Sequence, residues 1–262
     1  MRLLRATGPL AAAVLALGLA AGCSSDDGDN GGGDRGADGG LPSEARLATY
    51  FDAVASYDPD QLAEAEDIAA DGSPAQAYAA YLGEFSASAI AAGQPVDPAE
   101  AKEVDDGFEA CGGTGTADQC VTWSDLEGED GELTDFTVAG TELDDSLVDL
   151  TDQAPIASPG LYTVQPEHAY RSPQSGTLFV LVTITAGDAP LAPQPGLYID
   201  QDTTIKGIET RAPATIDPGA GTPVVLAFPD AQDVSLDGSV TFGLRVGETQ
   251  ESIGFGLAAP AV

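Results

Sequence analysis

The chain is predicted to fold as an α+β domain over residues 43–152, with helices on an antiparallel sheet, followed by an all-β sandwich over residues 155–262. Three observations carry this expectation. Between residues 43 and 92 apolar side chains recur at helical spacing behind proline-marked starts. From Phe108 onward the period becomes that of strands. The acidic surplus also thins at Pro155: residues 43–154 hold 27 acids and two bases, whereas residues 155–262 hold eleven acids and four bases.

The helices are read in order. Leu47, Tyr50, Phe51 and Val54 fall at i, i+3, i+4 and i+7, which predicts a helix over 43–56. Asp58-Pro59-Asp60-Gln61 supplies an N-cap aspartate, a proline at the first helical position and a glutamine three residues past the cap, opening a helix over 59–70. Ser73-Pro74-Ala75-Gln76 repeats that logic ahead of Tyr78, Tyr81, Leu82 and Phe85, predicting a helix over 74–92. Asp97-Pro98-Ala99-Glu100 is a fainter copy of the same start.

Residues 119–123 and 133–138 then read as strands joined by an acidic turn whose Asp130-Gly131 is a hairpin signal. In the second half, apolar and β-branched runs recur at 161–164, 177–185, 198–199, 222–228, 239–246 and 252–257, separated by Pro, Gly and Asp turns. Residues 178–184 are apolar almost throughout, as a central strand covered on both faces would be. Six to eight short strands with no helical pattern predict a β-sandwich, although the Cys…Trp…Cys spacing of antibody domains is absent.

The opening residues, MRLLRATGPLAAAVLALGLAAGCSS, read as a signal peptide over 1–22. Arg2 and Arg5 form a basic start, and the apolar run from Leu10 to Leu19 is too short to span a hydrocarbon core of roughly 30 Å. The arginines are not adjacent, so the general secretion route is expected rather than a twin-arginine one. The segment Ala20-Ala21-Gly22-Cys23 resembles a bacterial lipobox, with Ala20 where a leucine usually stands. That resemblance implies cleavage before Cys23, a diacylglyceryl group on its thiol, and display on the outer face of the cell membrane. The alternative is an ordinary signal peptide that leaves a free thiol. Residues 23–42 follow as a Gly- and Asp-rich tether, expected to be disordered and to span roughly 25 Å as a flexible coil.

The second half also resembles the telokin-like, immunoglobulin-like domain of exported bacterial lipoproteins. The resemblance rests on SGTLFVLVTITAGDAPL and ATIDPGAGTPVVLAFPDAQDV, over most of residues 160–258, with Ala186 replacing the family's usual asparagine. It implies a binding, adhesion or spacer module without catalytic residues. More loosely, the first half resembles a cystatin-like or nuclear-transport-factor-like cone, a superfamily that includes enzymes and many accessory domains.

Composition narrows the partners. With 43 acids against nine bases, and a formal net charge of −34, the surface repels nucleic acid and anionic headgroups. Apart from Cys23, only Cys111 and Cys120 are available for a disulfide, and in an oxidising compartment they are expected to pair. The short loop between them makes that bridge worth roughly 2–3 kcal/mol.

His168 is the single histidine and is expected as a surface or turn residue. Ser172 and Ser175 lie near it, but no G-x-S-x-G elbow occurs in the chain, and with a single histidine and both remaining cysteines expected in a disulfide, zinc catalysis is not expected. Asp125, Glu127, Glu129, Asp130 and Glu132 suggest calcium, yet Gly131 falls one position late for an EF-hand loop, and a solvated turn is expected. Asp26, Asp27, Asp29, Asp34 and Asp38 lie in the tether. Tyr50, Tyr57, Tyr78 and Tyr81 could line a pocket with Asp52 or Asp67 as acid or base, but aromatic residues at helical spacing are expected to be core.

The expected function is therefore non-catalytic binding at the cell envelope, with no cofactor, a membrane anchor at Cys23, and an envelope protein or a small molecule as partner. A carboxylate- and tyrosine-based hydrolase or isomerase, and a calcium-stabilised spacer, are the alternatives.

Overall fold

In the computed structural model, residues 40–112, 120–200, 203–207 and 209–258 are described. Cys23, the signal peptide and all but the last three residues of the expected tether lie outside them. The described residues are mostly β, with a few helices and several antiparallel sheets. They belong to one compact unit spanning 36–262.

Three helices come first: α1 (Glu44–Ser56), α2 (Pro59–Glu66) and α3 (Pro74–Ala91). Their starts follow the predicted chemistry. The Asp58 carboxylate accepts from the Asp60 and Gln61 backbone N–H groups, with Pro59 in the first turn. The Ser73 hydroxyl accepts from the Gln76 N–H, while the Gln76 side chain accepts from the Gly72 N–H at 2.8 Å. Helix α2 ends four residues sooner than predicted, because the chain turns there so that Ile68 and Ala70 can bond to Leu133.

A five-stranded sheet follows in the order β1 (Ala101–Val104), β2 (Gly107–Cys111), β3 (Cys120–Glu129), β4 (Glu132–Val138) and β5 (Thr141–Glu142). Asp130 and Gly131 turn the β3–β4 hairpin with φ of 53° and 84°, the pair of positive angles that an Asp-Gly turn accommodates. Cys111 and Cys120 face each other across β2 and β3 and form a disulfide.

A one-turn helix α4 (Leu143–Ser146) leads into β6 (Leu147–Asp149) and β7 (Ile156–Ser158), both paired with β8 (Tyr162–Arg171). Then come β9 (Leu178–Ala186), β10 (Leu191–Asp200), β11 (Thr203–Lys206), β12 (Glu209–Arg211), β13 (Gly221–Phe228), β14 (Ser239–Val246) and β15 (Thr249–Gly256). They form two antiparallel sheets, β12-β13-β9-β8-β6 and β11-β10-β14-β15.

Strand β9 explains how the layers stack. Leu178, Val180, Val182 and Ile184 enter the core shared by the two later sheets, whereas Leu181, together with Val225 of β13, joins the core of the helices. Period-two alternation thus feeds two different cores. Helix α3 packs against both β4 and β13, so it is held between two sheets. Its sequence PAQAYAAYLGEFSASAIA is apolar around most of its circumference, as a helix covered on two sides must be.

Candidate functional site

A cleft of about 610 Å³ opens where the helices, the first sheet and the β8–β9 pair meet. Val54, Ala55 and Tyr57 bring the end of α1 to it, and Tyr78, Tyr81, Leu82 and Phe85 bring one face of α3. Ala110, Val121 and Trp123 contribute from the first sheet, and Tyr170 and Phe179 from the later one. The segment after α3, from Gln94 to Asp97, completes the wall.

The rings interlock rather than stack in a column. Tyr81 and Tyr170 centroids lie 4.8 Å apart, Tyr78 meets Tyr170 edge-on at 5.5 Å, and Phe85 meets Phe179 edge-on at the same distance. Such edge-to-face pairs suit the ring quadrupoles.

Gln94, Asp97, Ser172, Gln174 and Ser175 give the cleft a polar rim, while its deep polar groups are the Trp123 indole and the tyrosine hydroxyls. Trp123 is 3% exposed, and its indole N–H has no hydrogen-bond partner. That nitrogen is shielded from the open cleft, and the Tyr78 hydroxyl lies beside it. Tyr78 and Tyr170, whose rings meet edge-on, are deeply buried as well. Burial, above all, pushes both hydroxyls far above the ordinary tyrosine range, so they stay protonated and act as neutral donors and acceptors. The one carboxylate in the lining, Asp97, is exposed.

Of the predicted site residues, Tyr57, Tyr78 and Tyr81 meet in this cleft, and Tyr50 does not. Tyr50 is buried under α3, where its hydroxyl donates to the Ala75 carbonyl at 2.7 Å. Asp52 and Asp67 are both exposed and away from the cleft; Asp52 accepts from the Ala101 N–H. No acid or base from that set therefore faces the tyrosines of the cleft. Trp123, Tyr170 and Phe179 were not anticipated. The sequence places Trp123 in a strand, but nothing local ties it to rings some fifty residues later in the chain.

His168 departs from expectation. It is a buried residue of β8, 3% exposed, and its Nδ1 lies 3.1 Å from the Glu84 carboxylate on α3. A bulge between Pro166 and His168 shifts the strand register at this point. Around the pair, burial raises Glu66 and Glu167 above the ordinary carboxylate range, with the Glu84 charge adding to both. The contact ties α3 to the later sheet. Ser172 and Ser175 sit in the following turn, where the Ser172 hydroxyl accepts from the Ser175 N–H.

The acidic hairpin does not gather into a ligand set. The Asp125 carboxylate accepts from the hydroxyls of Ser124 and Thr137 instead. Among the described residues, the one close group of potential metal-ligating atoms is Glu109, Cys111 and Cys120, whose sulfurs are spent in the disulfide. Also among the described residues, no helix is long and apolar enough to cross a membrane.

No family model matches the chain, and no curated protein matches it. Among solved structures there is a weak neighbour, the GAE domain of GGA2p from Saccharomyces cerevisiae. It is 14% identical with a TM-score of 0.28, over 42% of this chain and 97% of that domain.

Proposed function

We propose that this is a lipid-anchored protein of the bacterial cell envelope whose folded part binds a small apolar molecule without catalysing a reaction on it. In this reading an α+β part, helices on a five-stranded sheet, leans on an immunoglobulin-like sandwich, and the ligand enters between them. The observation that carries the reading is the cleft itself: about 610 Å³, within the range of small-molecule sites and walled chiefly by apolar and aromatic side chains. The two tyrosine hydroxyls on its floor are held neutral, which suits recognition better than proton transfer. The leader ending in Cys23 supports the anchor.

Trp123 is the chain's only tryptophan, so its fluorescence reports on the cleft directly. Titration with the uncharged naphthalene ketone prodan is expected to quench it saturably. Val121→Phe, which adds a ring to the wall, is expected to abolish the quenching while leaving the melting temperature within a few degrees. Quenching that is absent, or unchanged in the variant, would overturn the reading. For the anchor, Cys23→Ser is expected to release the protein into the medium; retention of that variant on the membrane counts against lipidation.

A further inference from the structure

The geometry points to a cationic ligand for this cleft: an apolar molecule ending in one compact positive charge of the quaternary ammonium kind, its body inside and its charge at the mouth beside Tyr57 and Asp97. This deepens the binding reading and rests on it. Few of the rings in the lining are open. Tyr78, Tyr81, Phe85, Trp123 and Tyr170 are buried, whereas Tyr57 and Phe179 keep exposed surface. Phe85 packs against both, with its centroid 6.4 Å from that of Tyr57 and 5.5 Å from that of Phe179. The open part of the cleft is therefore edged by ring surface. Such surface attracts a cation through the ring quadrupole, most strongly where the cation has shed part of its water.

The charges at the mouth agree in sign. Asp97 is the one acidic side chain in the lining, it is exposed, and no lining residue is basic. The Ala99 N–H donates to the Ala55 carbonyl at 3.0 Å. That bond brings Asp97 and Tyr57, each two residues away from it, to one side of the cleft. The bases of the flanking segments are engaged elsewhere. Lys102, the one base of residues 94–112, stands opposite Glu109 in the register of β1 and β2. Arg171, next to Ser172 of the rim, donates to the Val234 and Asp145 carbonyls. An anion would meet no counter-charge here, and the chain's net charge of −34 repels it while drawing cations in. A charge carried to the apolar floor would lose its water without gaining a partner. At the mouth it stays partly hydrated and meets both a carboxylate and ring surface.

Three probes of one shape read the charge. Benzyltrimethylammonium, N,N-dimethylbenzylamine N-oxide and phenylmethanesulfonate each carry a benzyl group on a tetrahedral head, with net charge positive, zero and negative. Each is used to displace prodan from the intact protein at low salt, followed by prodan's own emission. The cation is expected to compete about tenfold better than the N-oxide, as ring surface and one exposed carboxylate together imply, and the sulfonate worst of all. High salt is expected to shrink that preference, because the charges at the mouth are screened. Asp97→Asn is expected to cut it to about threefold, the share left to the rings. Phe179→Leu, which keeps an apolar wall but removes a ring, is expected to lower it as well. Glu129→Gln, which removes an equal charge from an exposed position outside the cleft, is expected to leave it unchanged.

If prodan itself does not bind, the binding reading falls and the charge assignment with it. If prodan binds but the cation displaces it no better than the N-oxide or the sulfonate, the charge assignment falls and the binding reading stands. A preference that survives both Asp97→Asn and Phe179→Leu would overturn the assignment too. So would one that falls equally in Glu129→Gln, since the overall charge of the chain would then be its source.

Discussion

The molecule has two cores built from different materials, and the contrast shows why one of them carries the candidate site. Between the two later sheets, aliphatic residues such as Val180, Val182, Ile184, Val224 and Leu244 dominate, with Tyr198, Phe228 and Phe242 as the large rings. Branched side chains on alternating strand positions interdigitate densely. Tyr198 is also satisfied: its hydroxyl donates to the Ser235 carbonyl and accepts from the Gly238 N–H. The core beneath α1, α2 and α3 is instead a cluster of rings, including Tyr50, Phe51, Phe108, Trp123 and Phe136. Rings bury much area, and the polar handles of tyrosine and tryptophan need partners that packing alone does not provide. A solid core stabilises; a ring-walled one also leaves room.

The comparison can be broken first at its strongest point. Phe242→Ala, in the dense core, is expected to cost about 3–5 kcal/mol in urea unfolding, since the surrounding sheets cannot close on the cavity. A loss below about 2 kcal/mol would mean that this core is not solid. Next in size is the disulfide beside the cleft, whose neighbours Ala110, Gly112 and Val121 are lining residues. Replacing Cys111 and Cys120 by serine is expected to cost about 2–3 kcal/mol through the freed loop. Prodan affinity is also expected to fall as β2 and β3 loosen at the rim.

Phe179→Ala tests the ring-walled side directly. Phe179 is only partly buried and faces open cleft, so the expected loss is about 1 kcal/mol, well under that of Phe242. Equal losses at the two positions would erase the distinction between the cores.

The smallest effect is at the seam. Burial holds the Glu167 carboxyl above its ordinary range, so its charged form is disfavoured in the folded state. Because the folded value lies above the unfolded one, stability rises as pH falls through the folded value. Glu167→Gln removes that cost and is expected to stabilise at neutral pH by about 0.5 kcal/mol, after allowing for solvent screening. The gain should fade as pH falls into the range where the unaltered carboxyl is itself protonated. A gain that persists at low pH would show that charge is not its cause.

Much of this was legible residue by residue, because the signals were local. Asp58 and Ser73 announced their helices through side-chain caps that need only the next three residues. Asp130-Gly131 announced its hairpin through backbone angles that few other pairs tolerate. The tyrosines of α3 were visible as an apolar face, but a face does not say whether it meets a solid neighbour or an opening. His168 was misplaced for a similar reason. Its local setting, Gln165-Pro166-Glu167, reads as a turn, and only the approach of Glu84 from α3, 84 residues earlier, makes burial of an imidazole affordable.

What the sequence determined alone was therefore everything set by short-range chemistry: helix starts, turns, strand alternation and the acidic surface. What only the tertiary structure decided was the cleft and its floor. Trp123, Tyr78 and Tyr170 come from a strand, a helix and a strand of another sheet, and no periodicity links them. Their meeting depends on α3 being held between two sheets. Local propensity acts over a few residues, whereas a cavity is what remains after distant surfaces have packed as closely as their shapes allow.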